Sequence, residues 1–227
     1  APMSPTRLLE GLERIGPVFC QLYGQTEGYP LTVLRKDDHR KDDPGLFAAC
    51  GHPCTSVRID LLDEQGEPVQ TGEVGEICAQ APQVMDCYWN RQEQTEETFA
   101  HGWLHTGDMA LADDRGYLYI VDRKKDMIIT GGFNVFPREV EDVITSDKNV
   151  AMAAVIGVPD DKWGEAVKAV VVARDGGQID SDALIGLVRE AKGAVHAPKS
   201  VDVVDEIPLT PLGKADKKAL REKYWAG

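Results

Sequence analysis

The sequence predicts two folded units: an α/β segment that runs into a β-rich one, followed by a smaller α+β unit. Three observations predict this. The chain opens on helical spacing followed by a strand-length apolar run. From Gly51 to Val121 the runs become short and alternating, broken by turn signals. Beyond Arg123, helical periods alternate with longer apolar runs. The boundary is expected between Val121 and Met127.

The elements follow in order. Ser4-Pro5 reads as an N-cap with proline at the first helical position, and Leu8, Leu9, Leu12 and Ile15 give helical spacing. Gly16-Pro17 stops that helix, and Val18 to Leu22 reads as a short buried strand whose parallel neighbours would lie upstream. A strand running into a polar, glycine-containing loop is where α/β sheets place ligands. In the β-rich stretch, VRIDLLDEQGEPV, GEVGEICAQ and DDRGYLYIVD alternate, with Asp-Glu-Gln-Gly and Asp-Asp-Arg-Gly as turns. Further on, Pro137 opens a helix with Glu139, Glu141 and Asp142 in its first turns, where the helix dipole favours acid. Val150 to Val158 and Ala166 to Ala173 read as buried strands, Asp180 to Lys192 as an amphipathic helix, and Ala215 to Tyr224 as a last basic helix.

Charge and composition narrow the function classes. A net charge of −13 argues against a nucleic-acid or anionic-membrane surface, so a polyanionic ligand must meet a local cluster of cations. Arg123-Lys124-Lys125 is the candidate. No apolar stretch reaches membrane-spanning length. Five cysteines, an odd number, with no secretory signal, favour a reducing, cytoplasmic setting over a disulfide framework. Cys50, His52 and Cys54 in ACGHPC have no second Cys/His cluster downstream, so turn and core cysteines are the better reading than a metal site.

Four segments carry chemistry. In LYGQTEG, Tyr23 offers an aromatic face to a purine, Thr26 can bond a phosphate oxygen, and Glu27 supplies the hard oxygen that magnesium prefers. In GWLHTGDMA, Asp108 can present two acceptor oxygens to the vicinal hydroxyls of a ribose. In YIVDRKKDMIITGGFNVFPREVE, a strand delivers the guanidinium of Arg123, suited to ribose and phosphate oxygens, and Gly131-Gly132 lets backbone lie against a ligand. In DEIPLTPLGKADKKAL, Lys214 stands just before the final helix, against the helix dipole. Taken singly, each segment also reads as a solvated turn or hairpin end.

LYGQTEG, HTGD, DRKKDMI, GGFNVFP and the PLGK loop stand in the order and spacing of the adenylate-forming superfamily, which the chain resembles over nearly its whole length. That family holds acyl-CoA synthetases, nonribosomal peptide adenylation domains and firefly luciferase. DRKKDMI followed by GFNVFP is most similar to bacterial fatty-acyl and related CoA ligases. The resemblance implies that residues 1–122 are the C-terminal part of a large AMP-binding domain, 123–126 a hinge, and 127–227 a small α+β C-terminal domain. The family's Ser/Thr/Gly-rich phosphate loop and most of its acyl pocket have no counterpart here, so the 227 residues alone are expected to be inactive and to come from a longer protein.

The same resemblance implies roles. Thr26 would contact phosphate, Glu27 bind magnesium, Tyr23 border the adenine, and Asp108 and Arg123 hold the ribose. Lys125 would be the hinge residue and Lys214 the lysine that assists adenylation. Gly131 and Gly132 would line the pantetheine channel, and Trp163 would meet the CoA adenine. A basic residue found in such ligases just before the Pro-Lys pair is Ala197 here, which bears on the nucleotide end of the CoA site. The implied reaction joins a carboxylic acid to CoA at the expense of ATP, with Mg2+, through an acyl-adenylate. An adenylation domain that loads a carrier protein, and a nucleotide-binding module without catalysis, are the alternatives. The acid itself is not legible.

Overall fold

The computed structural model describes residues 3, 5–211 and 213–225, and the chain divides into two compact units, residues 1–121 and 122–227. The N-cap expected at Ser4 lies outside the described residues.

In the first unit, α1 (Pro5–Arg14) buries Leu8 and Leu12 against Phe47, as its spacing predicts, whereas Leu9 is exposed and Ile15 lies exposed beyond the helix end. β1 (Gln21–Gln25), β2 (Gly28–Leu34) and β3 (His52–Pro53) form an antiparallel sheet in that order. The expected buried strand at Val18–Leu22 is therefore misplaced. The strand begins at Gln21, Val18 and Leu22 are exposed, and its pairing among the described residues is with β2 across a turn. An apolar run marks burial, whereas register here is set by the turn after Gln25.

The second sheet runs β4 (Arg58–Leu62), β5 (Gly75–Gln80), β6 (Leu104–Ala112), β7 (Leu118–Arg123). Its alternating strands put Leu61, Ile77, Ala110 and Leu118 into one core. A helix that the alternating pattern did not announce, α2 (Gln92–Thr98), lies between β5 and β6 with no fully buried residue. In ACGHPC, the Cys50 thiol donates to the Leu118 carbonyl, and burial pushes it up to about 11. The His52 ring packs on Tyr117, 4.0 Å between centroids. These are core and turn residues.

The second unit holds β8 (Ile128–Thr130), β9 (Phe133–Val135), α3 (Pro137–Ile144), β10 (Val150–Asp160), β11 (Gly164–Ala173), α4 (Ser181–Lys192), β12 (Ser200–Val203) and α5 (Lys217–Trp225). The sheet order is β10-β11-β8-β9, with β12 parallel to β11. β10 and β11 are buried on both faces. Val155, Val167, Ala169 and Val171 pack with Val140 and Ile144 of α3 and Leu184 and Val188 of α4, while Ala154, Ile156 and Val170 pack with Ile207 and Leu220. Two-sided burial explains why both strands read as apolar runs, interrupted in β11 by Lys168, which pairs with Asp202. Pro137 takes the first position of α3, and Asp180 caps α4 by accepting the Ala183 N–H. α5 starts at Lys217 rather than Ala215, because Ala215 bridges to Leu209 and Asp216 accepts the Ala219 N–H.

Candidate active site

In the first unit, the site grows from the tight turn that joins β1 to β2. Gln25 pairs with Gly28, leaving Thr26 exposed and Glu27 half-buried at the tip. A Cβ at Gly24 would stand 2.7 Å from the Gly28 carbonyl oxygen, so the close return of the chain requires glycine there. The Glu27 carbonyl accepts the Met85 N–H at 2.8 Å, and its Oε1 accepts the Tyr88 hydroxyl at 2.5 Å. Three residues before Thr26, the Tyr23 hydroxyl donates to Asp108 Oδ2 at 2.7 Å. Burial and the charge of Asp108 both hold the Tyr23 hydroxyl far above the ordinary phenol range. Asp108, 5% exposed, sits on β6, and Tyr23 and Asp108 come together although they lie 85 residues apart.

Asp108 belongs to a braced segment. Its N–H donates to the Thr106 hydroxyl, which in turn donates to the Ile77 carbonyl. Glu76, buried in β5, accepts the Gly107 N–H at 2.9 Å and faces His105 Nδ1 at 2.9 Å. Glu76 and Tyr88 are site residues that sequence reasoning missed. For Glu76 a signal existed: an acid inside GEICAQ, flanked by apolar residues in a strand, must find partners when buried. Tyr88 carried no such signal.

In the second unit, Arg123 ends β7 with its side chain exposed, and Lys125 lies exposed in the short turn Lys124–Asp126. This segment is fastened at both ends. Asp122 accepts the N–H groups of Arg123 and Arg138, each at 2.8 Å, and Asp126 pairs with Arg221 at 2.9 Å. Asp122 thereby serves the second residue of α3 as a cap would, from outside the helix.

Gly131 and Gly132 form the two-residue turn between β8 and β9, both with positive φ, +58° and +81°. Such turns need that backbone at both positions, which glycine adopts without strain. The structure brings Gly131 against Trp163. The Gly131 N–H donates to the Trp163 carbonyl at 2.9 Å, and a Cβ on Gly131 would stand 2.6 Å from Trp163 Cε3. Trp163 sits in the β10–β11 turn, held by Asp160 Oδ1, which accepts the N–H groups of both Lys162 and Trp163. The Lys162 and Lys199 ammonium groups lie 4.6 and 5.8 Å from the Trp163 ring centroid. Ala197 itself is buried, so the cations of this face come from Lys162 and Lys199.

Lys214 is exposed on a closed loop. The Thr210 N–H donates to the Lys214 carbonyl at 2.7 Å, and the Lys214 N–H donates to the Thr210 hydroxyl at 3.2 Å. It precedes the helix by three residues, so its position owes nothing to the start of α5. Leu212 of the same loop lies outside the described residues.

Two family descriptions match the chain: AMP-binding enzyme over residues 1–89, and AMP-binding enzyme C-terminal domain over residues 139–214. The chain is 52% identical to a medium/long-chain-fatty-acid–CoA ligase of Mycobacterium tuberculosis, over 99% of its own length and 40% of that protein. Among solved structures it is similar to the amide bond synthetase McbA from Marinactinospora thermotolerans, 40% identical with a TM-score of 0.86, over 99% of this chain and 45% of that one. It is also similar to ATP-bound MatB from Rhodopseudomonas palustris, 35% identical with a TM-score of 0.88, over 99% of this chain and 44% of that one. The chain thus spans less than half the length of the proteins it matches. It belongs to the adenylate-forming superfamily of AMP-binding enzymes.

Proposed function

We propose that the whole protein is an AMP-forming ligase that joins a carboxylic acid, of the fatty-acid class, to CoA. The Tyr23–Asp108 contact carries this reading, because it sets an aromatic ring beside a carboxylate at the end of a loop bearing a hydroxyl and a second carboxylate. A nucleoside triphosphate asks for those groups: a ring face for the base, paired acceptors for the ribose, a hydroxyl for phosphate. Residues 1–122 would then be the end of the nucleotide-binding domain, 127–227 the smaller domain, and 123–126 the hinge between them.

In the first half-reaction a carboxylate oxygen attacks the α-phosphorus of ATP, and the bond to pyrophosphate breaks. Tyr23, Asp108 and Arg123 hold the nucleoside and Thr26 a phosphate oxygen. The Lys214 ammonium meets the charge that builds at phosphorus. Glu27 fits a magnesium ligand, since it is a half-buried hard donor whose other oxygen is already oriented by Tyr88. When bound, magnesium supplies charge neutralisation on the phosphates. In the second half-reaction the CoA sulfur attacks the acyl carbonyl carbon and AMP leaves. Gly131 and Gly132 would border the pantetheine arm. Trp163 with Lys162 and Lys199 would receive the adenine and phosphates of CoA, an aromatic face flanked by two cations.

The test is acid-dependent pyrophosphate exchange and thioester formation by the full-length protein, over fatty, aryl and amino acids, with and without CoA. The expected result is exchange with fatty acids and a CoA thioester as product. Amino-acid activation that ignores CoA would replace this reading with carrier-protein loading. Robust exchange by the 227 residues alone would overturn the expectation that the chain is inactive by itself.

A further inference from the structure

The HTGD segment is not a regular stretch of strand. Glu76 stands opposite Met109 and Cys78 opposite His105, so that Thr106, Gly107 and Asp108 of β6 together face the single residue Ile77 of β5. The extra residues bulge out of the ladder, with Gly107 at φ +72°. A bulge leaves backbone groups without their cross-strand partners, and here a side chain takes their place. One oxygen of Glu76 accepts the Gly107 N–H, and the other faces His105 Nδ1, both at 2.9 Å. His105 is fixed from its far side, with Nε2 3.1 Å from the Ala100 carbonyl oxygen. The single carboxylate therefore grips the bulge on either side of Thr106, and Asp108 is the next residue out.

Glu76 is 4% exposed, and a carboxylate that deeply buried is tolerated only when its oxygens are bonded. Glu76, Cys78 and His105 bring ligand-type atoms within 4.8 Å of one another. Their polar atoms are turned on each other, on Gly107 and on Ala100, which closes the cluster as a hydrogen-bonded brace. The geometry points to Glu76 as a positioning residue that sets where the Asp108 carboxylate stands, a role that rests on the ribose reading of Asp108 proposed above. Glu76 does not touch the nucleotide. It fixes the shape of the bulge, and the bulge aims Asp108, which accepts the Tyr23 hydroxyl.

A ribose-specific readout separates this role from a merely structural one. In the full-length protein, pyrophosphate exchange is measured with ATP, 2′-deoxy-ATP and 3′-deoxy-ATP. The unmutated enzyme is expected to prefer ATP. Glu76→Ala is expected to lose that preference by about tenfold or more, since a displacement of about 1 Å in a binding group weakens its contact by such factors. KM for the acid should stay unchanged. Glu76→Gln keeps an oxygen for the Gly107 N–H and places an amide donor toward His105, so it should keep most of the preference. If Glu76→Ala does not fold, Glu76→Asp, whose oxygens are drawn back by one carbon, should lose part of the preference. A folded Glu76→Ala or Glu76→Asp with the full preference for ATP overturns the proposal, as does Glu76→Gln losing as much as Glu76→Ala. No preference in the unmutated enzyme removes the ribose role of Asp108 itself, and the role of Glu76 with it.

Discussion

Lys214 carries its charge on a loop in which its own backbone bonds Thr210 at both N–H and carbonyl, with the side chain exposed. On the proposed reading, Lys214→Ala removes a donor aimed at the charge developing on the α-phosphorus. Adenylation should fall by about 10² to 10³ in rate, while thiolysis of a supplied acyl-adenylate stays largely intact. The melting temperature should not move, since an exposed side chain is lost. Single-turnover kinetics of each half-reaction in the full-length protein decide it, and unchanged acyl-AMP formation would remove Lys214 from the chemistry. At this scale the sequence shows the residues of the motifs and hides their partners. Thr26, Glu27 and Asp108 announce themselves by residue type within short segments. Tyr88 reaches Glu27 from 61 residues away, and Glu76 meets His105 from 29 residues away, through pairings that no local pattern encodes.

The β8–β9 turn separates two glycine requirements that a sequence cannot tell apart. Gly132 has open space where a Cβ would stand, so Gly132→Ala meets only the backbone cost of positive φ, about 1–2 kcal/mol. Gly131→Ala meets that cost and also the Trp163 ring at 2.6 Å, so it should be the more destabilising and should displace Trp163. Thermal unfolding of both variants checks the order. In full-length protein, Gly131→Ala should slow thiolysis more than Gly132→Ala does. Equal behaviour would mean that the Trp163 contact is dispensable. Elements buried on two faces or carrying an apolar stripe are the legible ones. β10, β11, α3 and α4 fall where the spacing puts them, because burial writes itself into periodicity. α2 is all Gln, Glu and Thr with nothing fully buried, and β12 is a short strand whose partner determines it, so neither leaves a periodic mark.

At the scale of the molecule, the two compact units meet along the chain between Val121 and Asp122, and the segment from Asp122 to Asp126 opens the second. With Lys125 as the proposed pivot, Lys125→Pro locks φ at that residue. It should spare adenylation while lowering thioester formation by about tenfold or more. Both half-reactions followed in the same full-length protein test this; equal loss in each, with the fold intact, counts against the pivot. The sequence places a boundary between Val121 and Met127 but cannot say to which side the ends of this segment belong. Asp122 and Asp126 answer that, since Arg138 and Arg221 both lie in the second unit. The answer matters to anyone who cuts the molecule apart. A piece starting at Met127 leaves the Arg138 amide and the Arg221 guanidinium without their acceptors. A piece starting at Asp122 keeps both. Hydrogen bonds to charged groups are worth about 1.5–3 kcal/mol each. The shorter piece should therefore melt several degrees lower or not fold at all, although it lacks only five residues. Residues 122–227 are thus expected to be the portable unit, beginning at the aspartate that precedes the proposed pivot.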